Sequence, residues 1–141
     1  MTTDLPNVNV LLALHVSGHP HRHLAQAWFD EAEGIATVPV TQAGLLRMLL
    51  NPAINAHPHP TLAREALTAL LATPGVVSWS DDTHNVAETA FMYALTGPGQ
   101  VTDLHLLALA VSRGGRLVTF DTKIEAALRP KDRSHLRILA D

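Results

Sequence analysis

The sequence predicts an α/β fold with a central parallel sheet of about five strands and helices on both faces. Short apolar segments typical of strands alternate along most of the chain with longer segments whose apolar residues recur at helical spacing. Strands separated by helices pair in parallel, because the crossover returns the chain to the same edge of the sheet. No repeat or long linker interrupts the 141 residues, so we expect a single domain, residues 1–141.

The first elements are indicated by short apolar runs and by helical spacing. Asn7–Val10 is predicted to be a strand that leads into a helical stretch at Leu11–Val16. His21–Glu33 is predicted to be a helix. Its apolar face carries Leu24, Ala25, Trp28 and Phe29. Ile35–Val40 is predicted to be a strand, and Thr41 to cap the next helix. The apolar residues of that helix are Leu45, Leu46, Leu49 and Leu50.

Proline and glycine positions divide the rest of the chain. Asn51–Pro60 contains three prolines and predicts a loop. The segments that follow predict a helix, a strand and a helix at Thr61–Ala72, Val76–Trp79 and Thr83–Leu95. Thr102 is predicted to cap a helix over Asp103–Ser112, which a Gly-Gly pair ends. A strand, a short helix and a last strand are predicted at Arg116–Phe120, Thr122–Leu128 and Leu136–Leu139.

Composition excludes several classes of protein. Apolar residues make up 47% of the chain and charged residues 16%, which is typical of a soluble globular domain. No apolar run reaches the roughly 20 residues of a membrane span, and no basic segment predicts a signal peptide. The chain has no cysteine, which excludes disulfides, zinc–thiolate sites and thiol nucleophiles and fits a cytoplasmic location. A net charge of −3 argues against a dedicated DNA-binding module.

Two aspartates mark a candidate metal site. Asp103 lies in the first turn of a predicted helix, and Asp121 directly follows a predicted strand. In a parallel α/β sheet, strand ends and helix starts meet at one edge, where ligands bind. Two carboxylates brought together there can hold a hard divalent cation. Each aspartate alone is also compatible with a structural role, as a first-turn acid or as an N-cap.

Other motifs give weaker or negative signals. Asn7 and Asn9, in the first predicted strand, could simply close the strand-to-helix turn. Gln42, in the first turn of the next helix, could be an ordinary helix residue or could hold a water or contact phosphate. The histidines of HPHRH and HPHP are expected to be solvated rather than to form a zinc site. No glycine-rich phosphate loop and no GxSxG nucleophile elbow is present.

Three segments together resemble a known family. LPNVNVLLALH, ATVPVTQAGLLRMLLNPAI and GQVTDLHLLALAVSRGGRLVTFD, in this order and spacing, are similar to PIN-domain proteins, and more narrowly to VapC-type toxins of bacterial type II toxin–antitoxin systems. The resemblance spans Leu5 to Leu139. It implies a PIN-like three-layer fold and a Mg²⁺- or Mn²⁺-dependent endoribonuclease that leaves a 5′-phosphate and a 3′-hydroxyl. It also implies inhibition by a cognate VapB-type antitoxin and assembly as a homodimer.

The resemblance assigns the family's four acidic positions to residues of this chain. They correspond to Asn7, Gln42, Asp103 and Asp121, so the chain keeps two of the four charges. The implied metal ligands are Asn7, Asp103 and Asp121. Asn9 and Thr102 would orient those ligands or the phosphate.

Position 7 is the main departure from the family pattern. Asn7 stands where the family has an aspartate that is a central metal ligand. Two explanations are open. The asparagine is either an engineered Asp→Asn change or the mark of a naturally degenerate member that binds its partner or RNA and cuts poorly. A haloacid-dehalogenase-like phosphatase is disfavoured, because Lys123 stands where that motif requires a second aspartate after Asp121. A pure interaction module, binding an amphipathic segment in an apolar groove, is the remaining alternative.

Overall fold

A computed structural model of the chain, which describes residues 1–93 and 95–141, has a five-stranded sheet at its centre. The strand order is β3-β2-β1-β4-β5, and all four neighbouring pairs are parallel. The strands are β1 (Thr3–Pro6), β2 (Gly34–Thr37), β3 (Val76–Ser78), β4 (Arg116–Thr119) and β5 (Leu136–Ile138). The predicted number and direction of the strands are confirmed.

Helices cover both faces of this sheet. They are α1 (Val8–His15), α2 (Arg22–Glu31), α3 (Pro39–Leu49), α4 (Pro60–Ala72), α5 (Val86–Met92) and α6 (Val101–Ser112). Leu117 of β4 packs against α6, whereas the next residue, Val118, packs with α1 and α2, as the two-residue period of a strand requires. The three-layer α/β class predicted from the sequence is therefore confirmed. Within the described part of the chain, no helix is long and apolar enough to span a membrane.

The start of the chain differs from the prediction. Asn7–Val10 is not a strand: β1 ends at Pro6, and Asn7 is the N-cap of α1. The Asn7 side-chain oxygen accepts a hydrogen bond from the Val8 N–H at 2.7 Å, which turns the chain into the helix. The apolar run that follows has helical conformation, because a short apolar run is compatible with either a strand or a buried helix.

Both predicted threonine caps are wrong. Helix α3 begins at Pro39, whose fixed φ suits a first helical position, so β2 ends earlier than predicted. Thr41 lies inside the first turn, where its hydroxyl bonds to both the N–H and the carbonyl of Val38. Thr102 lies inside α6, which is entered through a 3₁₀ turn at Pro98–Gln100.

Two further elements differ in length or type. The predicted helix Thr83–Leu95 is shorter in the structure, where it spans Val86–Met92. It begins later than predicted because Asn85 is its N-cap and accepts a hydrogen bond from the Glu88 N–H. Ala94, within the predicted range, lies outside the described residues. The predicted helix Thr122–Leu128 is a 3₁₀ helix, Thr122–Ala127. Another 3₁₀ helix, Pro130–His135, was not predicted, and it is held by ion pairing between Arg129 and Asp132.

The amino edge of the sheet is held by a buried carboxylate. Asp4 of β1 is 2% exposed. It accepts hydrogen bonds from Trp28 Nε1 at 2.7 Å and from Arg116 Nε and Nη2 at 3.0 and 3.1 Å. These contacts join β1, α2 and β4, and the guanidinium neutralises the buried charge.

We predict that Asp4→Ala lowers the free energy of unfolding by about 3 kcal/mol or more, because it leaves a guanidinium and an indole N–H without their acceptor. Asp4→Asn should cost less, since an amide oxygen can still accept from Trp28. Chemical denaturation measures both, with Asp82→Asn, at an exposed acid, as the control. Equal effects for Asp4→Ala and the control would contradict this assignment.

Candidate functional site

Asn7 connects the central strand to an acidic residue. Its N–H donates to Val118 O at 2.8 Å, which continues the pairing of β1 with β4. Its side-chain Oδ1 accepts from Val8 N–H, and its Nδ2 donates to Asp103 Oδ1 at 2.7 Å. The Val8 N–H needs an acceptor and the Asp103 carboxylate needs a donor. Both contacts therefore agree on which end of the Asn7 amide is the oxygen and which is the amino group. Position 7 therefore presents an amino group to Asp103.

Thr119, at the end of β4, organises the neighbouring side chains. It is fully buried, and its Oγ1 accepts hydrogen bonds from Asn9 Nδ2 at 3.2 Å and from Asp121 N–H at 3.1 Å. Asn7 Nδ2 lies 3.5 Å from the same oxygen. Sequence reasoning missed this residue. The available signal was a hydroxyl within the apolar run LVTFD, two residues before Asp121.

Asp103 and Asp121 line one cavity of about 240 Å³, as the sequence predicted for two acids at one sheet edge. Asp103 comes from the first turn of α6, and Asp121 caps the following 3₁₀ helix by accepting from Lys123 N–H at 2.9 Å. The other lining residues are Thr96, Gly97, Gly99, Gln100, Lys123 and Ile124. The cavity thus combines two carboxylates with one ammonium group.

The Asp103 carboxyl has a raised pKa. Burial is the main cause, and the negative charge of Asp121 raises the pKa further. The hydrogen bond from Asn7 acts in the opposite direction and stabilises the ionised form. A cation between the two carboxylates would relieve both the burial cost and the repulsion.

The residues present fit a divalent ion held through few protein ligands. Mg²⁺ typically retains several waters and binds one or two carboxylates, which Asp103 and Asp121 supply. The buried Asn9 Oδ1 has no hydrogen-bond partner among the described residues, so a hard-oxygen acceptor is available beside Thr119. Over residues 1–93 and 95–141, no three His, Cys, Asp or Glu side chains are grouped for a metal. Of the three metal ligands that the resemblance implies, only Asp103 and Asp121 are carboxylates, because position 7 is an asparagine.

Two predicted site residues have other surroundings. Gln42 Nε2 donates to Thr37 Oγ1 at 3.0 Å and to Ser78 Oγ at 3.1 Å, at the ends of β2 and β3. No described hydrogen bond joins it to the acid pair. Thr102 is exposed next to Asp103. Roles for Gln42 and Thr102 stay predictions.

A buried histidine supports the helix that carries Asp103. His105 is 8% exposed; its Nε2 lies 2.9 Å from the Asp81 carboxylate and its Nδ1 lies 2.9 Å from Thr89 Oγ1. These contacts fasten the first two turns of α6 to α5 and to the loop after β3. Sequence reasoning did not identify these contacts, since the three residues belong to different elements and share no local pattern.

We predict that Asp103→Asn raises stability at neutral pH in a chelator. Because the pKa of Asp103 is raised in the folded state, ionisation of this carboxyl destabilises the fold. At a pH below 3.8, the ordinary pKa of an aspartate, the carboxyl is protonated and this cost is absent. The gain in the free energy of unfolding from Asp103→Asn should be largest when the pH is above the folded-state pKa of Asp103, and it should disappear as the pH falls toward 3.8. Denaturation at several pH values tests this, with Glu125→Gln as an exposed control. A gain independent of pH would contradict it.

The chain matches known proteins in sequence and in fold. A PIN-domain family model matches residues 7–128. Ribonuclease VapC39 of Mycobacterium tuberculosis is 39% identical over 126 residues, covering 86% of this chain and 91% of that protein. Ribonuclease VapC38 of the same organism is 36% identical over 138 residues, covering 96% of each.

Solved structures agree with the fold. The VapBC2 complex of Rickettsia felis, bound to a promoter DNA fragment, contains a chain with a TM-score of 0.64 at 14% identity, covering 99% of this chain and 100% of that one. VapC20 of Mycobacterium tuberculosis, a toxin that cleaves the sarcin–ricin loop, has a TM-score of 0.67 at 12% identity, covering 87% and 93%. The chain belongs to the PIN-domain family and, within it, to the group of VapC ribonucleases.

Proposed function

We propose that this chain is a VapC-type toxin that hydrolyses RNA phosphodiester bonds with the help of Mg²⁺ or Mn²⁺. The observation that carries the proposal is the 2.7 Å hydrogen bond between Asn7 and Asp103, because it brings position 7 to the acid of α6. Asp121 lines the same cavity as Asp103. Three of the four positions that the family makes acidic are therefore near one another at the carboxyl edge of the sheet. The sequence relatives, both ribonucleases, support RNA as the substrate.

The site residues have distinct parts in this proposal. Asp103 and Asp121 would hold the ion, which when bound supplies an activated water and neutralises phosphate charge. Thr119 keeps the Asp121 backbone in place through its hydroxyl. Lys123, exposed and lining the cavity, offers a cation to the RNA backbone. Asn9 and Thr102 would orient water or phosphate.

Asn7 reduces the capacity of this site for a cation. An amide in place of a carboxylate removes one negative charge, and the Asn7 oxygen is already used by the Val8 N–H. The amino group occupies one acceptor position of Asp103 that a metal ion would use. We therefore propose that the chain has weak nuclease activity and that the loss originates at position 7.

We predict that Asn7→Asp increases RNA cleavage in Mn²⁺ by roughly 100-fold, because it restores a ligand and a charge. The measurement compares the two chains on a pool of structured and single-stranded RNA. Asn7→Asp combined with Asp103→Ala is the matched control and should be inactive. If the restored chain cleaves no faster than the original, position 7 does not limit the activity.

We also predict opposite responses of stability to a chelator and to metal. Without metal, Asn7→Asp should unfold at a lower temperature than the original chain, because a carboxylate replaces the donor that faces Asp103. Added Mn²⁺ should raise the unfolding temperature of Asn7→Asp more than that of the original chain. Asp103→Asn should remove most of the rise in unfolding temperature that added Mn²⁺ causes. Equal shifts in all three chains would argue against this metal site.

One observation favours a second function. The Asn7 amide satisfies Asp103 without any cation, which is the arrangement expected of a PIN-like module that binds a partner or RNA and does not cut. The cleavage experiment separates the two functions, since a binding module would stay inactive after Asn7→Asp.

The partners follow from the same proposal. The structural neighbours include toxin–antitoxin complexes, which supports a VapB-type antitoxin as the partner of this chain. An apolar cavity of about 260 Å³ between α1, α2 and α4 would accept apolar side chains of such a partner. We further propose that residues 1–141 form one domain, that the chain is a homodimer, and that it acts in the cytoplasm.

A further inference from the structure

The turn between α1 and α2 is more ordered than its sequence, HPHRH, predicts. Gly18, with a φ of 78°, allows the chain to reverse. His19 N–H donates to Val16 O at 3.2 Å, and His19 Nδ1 accepts from His21 N–H at 3.1 Å. Arg22 N–H donates to His19 O at 3.1 Å. These hydrogen bonds fix the backbone that carries His19 and His21, and the His19 ring accepts one of them. The sequence predicted only that these histidines are solvated.

Three rings follow one another on this surface. The His21 ring lies 5.0 Å from the Phe120 ring, with 35° between the planes, and the His19 ring lies 5.9 Å from the His21 ring. His21 is exposed, and its side chain makes no capping hydrogen bond at the start of α2. The His21 imidazole is therefore exposed to solvent, and the Phe120 ring packs against it.

Phe120 connects these rings to the acidic cavity. It lies between Thr119, which organises the site, and Asp121, which lines the cavity. The Phe120 ring packs against the apolar cluster that β4 forms with α1 and α2, whereas Asp121 lines the cavity at the start of α6. The two side chains thus flank the same end of β4, with the rings on one side and the carboxylates on the other.

We propose that the His21 ring, packed on Phe120, forms a stacking surface for one unpaired base of the RNA substrate, at the same end of β4 as the carboxylates. This inference rests on the proposed function. Unpaired bases stack on aromatic and histidine rings without strong sequence preference, whereas duplex bases are already stacked. Two exposed cations can contact the RNA phosphates: Arg22, which follows His21 in the chain, and Lys123, which lines the acidic cavity.

Binding without cleavage tests this surface. The probe is a fluorescently labelled, unstructured single-stranded RNA in EDTA, with affinity measured by anisotropy on the full chain. His21→Ala should weaken binding by about ten-fold, the loss expected for one base stack. His21→Phe should keep the affinity, because it keeps a ring. His23→Ala is the matched control, since His23 is exposed and pairs with Asp141 instead.

A scan with single abasic nucleotides identifies the stacked base. One position should weaken binding to the original chain and have no further effect in His21→Ala, because both changes remove the same contact. Equal affinity of His21→Ala and the original chain would overturn the proposal, as would a loss in His21→Phe equal to that in His21→Ala, or no RNA binding in EDTA. A failure of Asn7→Asp to cleave, with the His21→Ala effect intact, would overturn the nuclease proposal alone.

Discussion

The hydrogen bond from Asn7 to Asp103 is the interaction on which the arrangement of the site depends. It joins the start of α1, on one face of the sheet, to the start of α6, on the other, across 96 positions of sequence. Because the same amide caps α1 through its oxygen, the side chain cannot turn without losing a helix cap. A structural role and a position in the candidate site are therefore combined in one residue.

This combination explains how the fold tolerates a buried acid. Asp103 is partly buried beside Asp121, and the raised pKa of its carboxyl reflects that environment. The Asn7 amide supplies a donor where a cation would otherwise act, so it offsets part of the cost of the ionised carboxylate. A third carboxylate at position 7 would favour metal binding and would disfavour the metal-free fold. Stability without metal and affinity for metal are thus opposed at this position.

The two edges of the sheet use aspartates differently. At the amino edge, Asp4 accepts three hydrogen bonds, two of them from Arg116, and its charge is compensated within the protein. At the carboxyl edge, Asp103 receives one side-chain hydrogen bond and faces another acid. A paired carboxylate stabilises the fold, whereas an unpaired one is available to a ligand. Ligand sites of parallel sheets lie at the carboxyl edge, which agrees with this division.

The α/β class, the parallel sheet and the placement of Asp103 and Asp121 at one edge could be predicted from the amino-acid sequence, because apolar periodicity and helix-start chemistry are local properties. It placed the first strand wrongly, since VNVLLAL suits a strand or a buried helix until Asn7 caps it. The metal-binding roles of the site residues are predictions that experiments on position 7 can test.

The pairs of distant side chains that contact each other could not be predicted, because they depend on how the elements pack. Thr119 contacts Asn9, the His21 ring packs on Phe120, and His105 contacts Asp81 because strand register and helix packing bring these pairs together. The same packing places the Gln42 side chain where it donates hydrogen bonds to Thr37 and Ser78. A local pattern carries no information on such pairs, since their separation in sequence is unrelated to their distance in the folded chain.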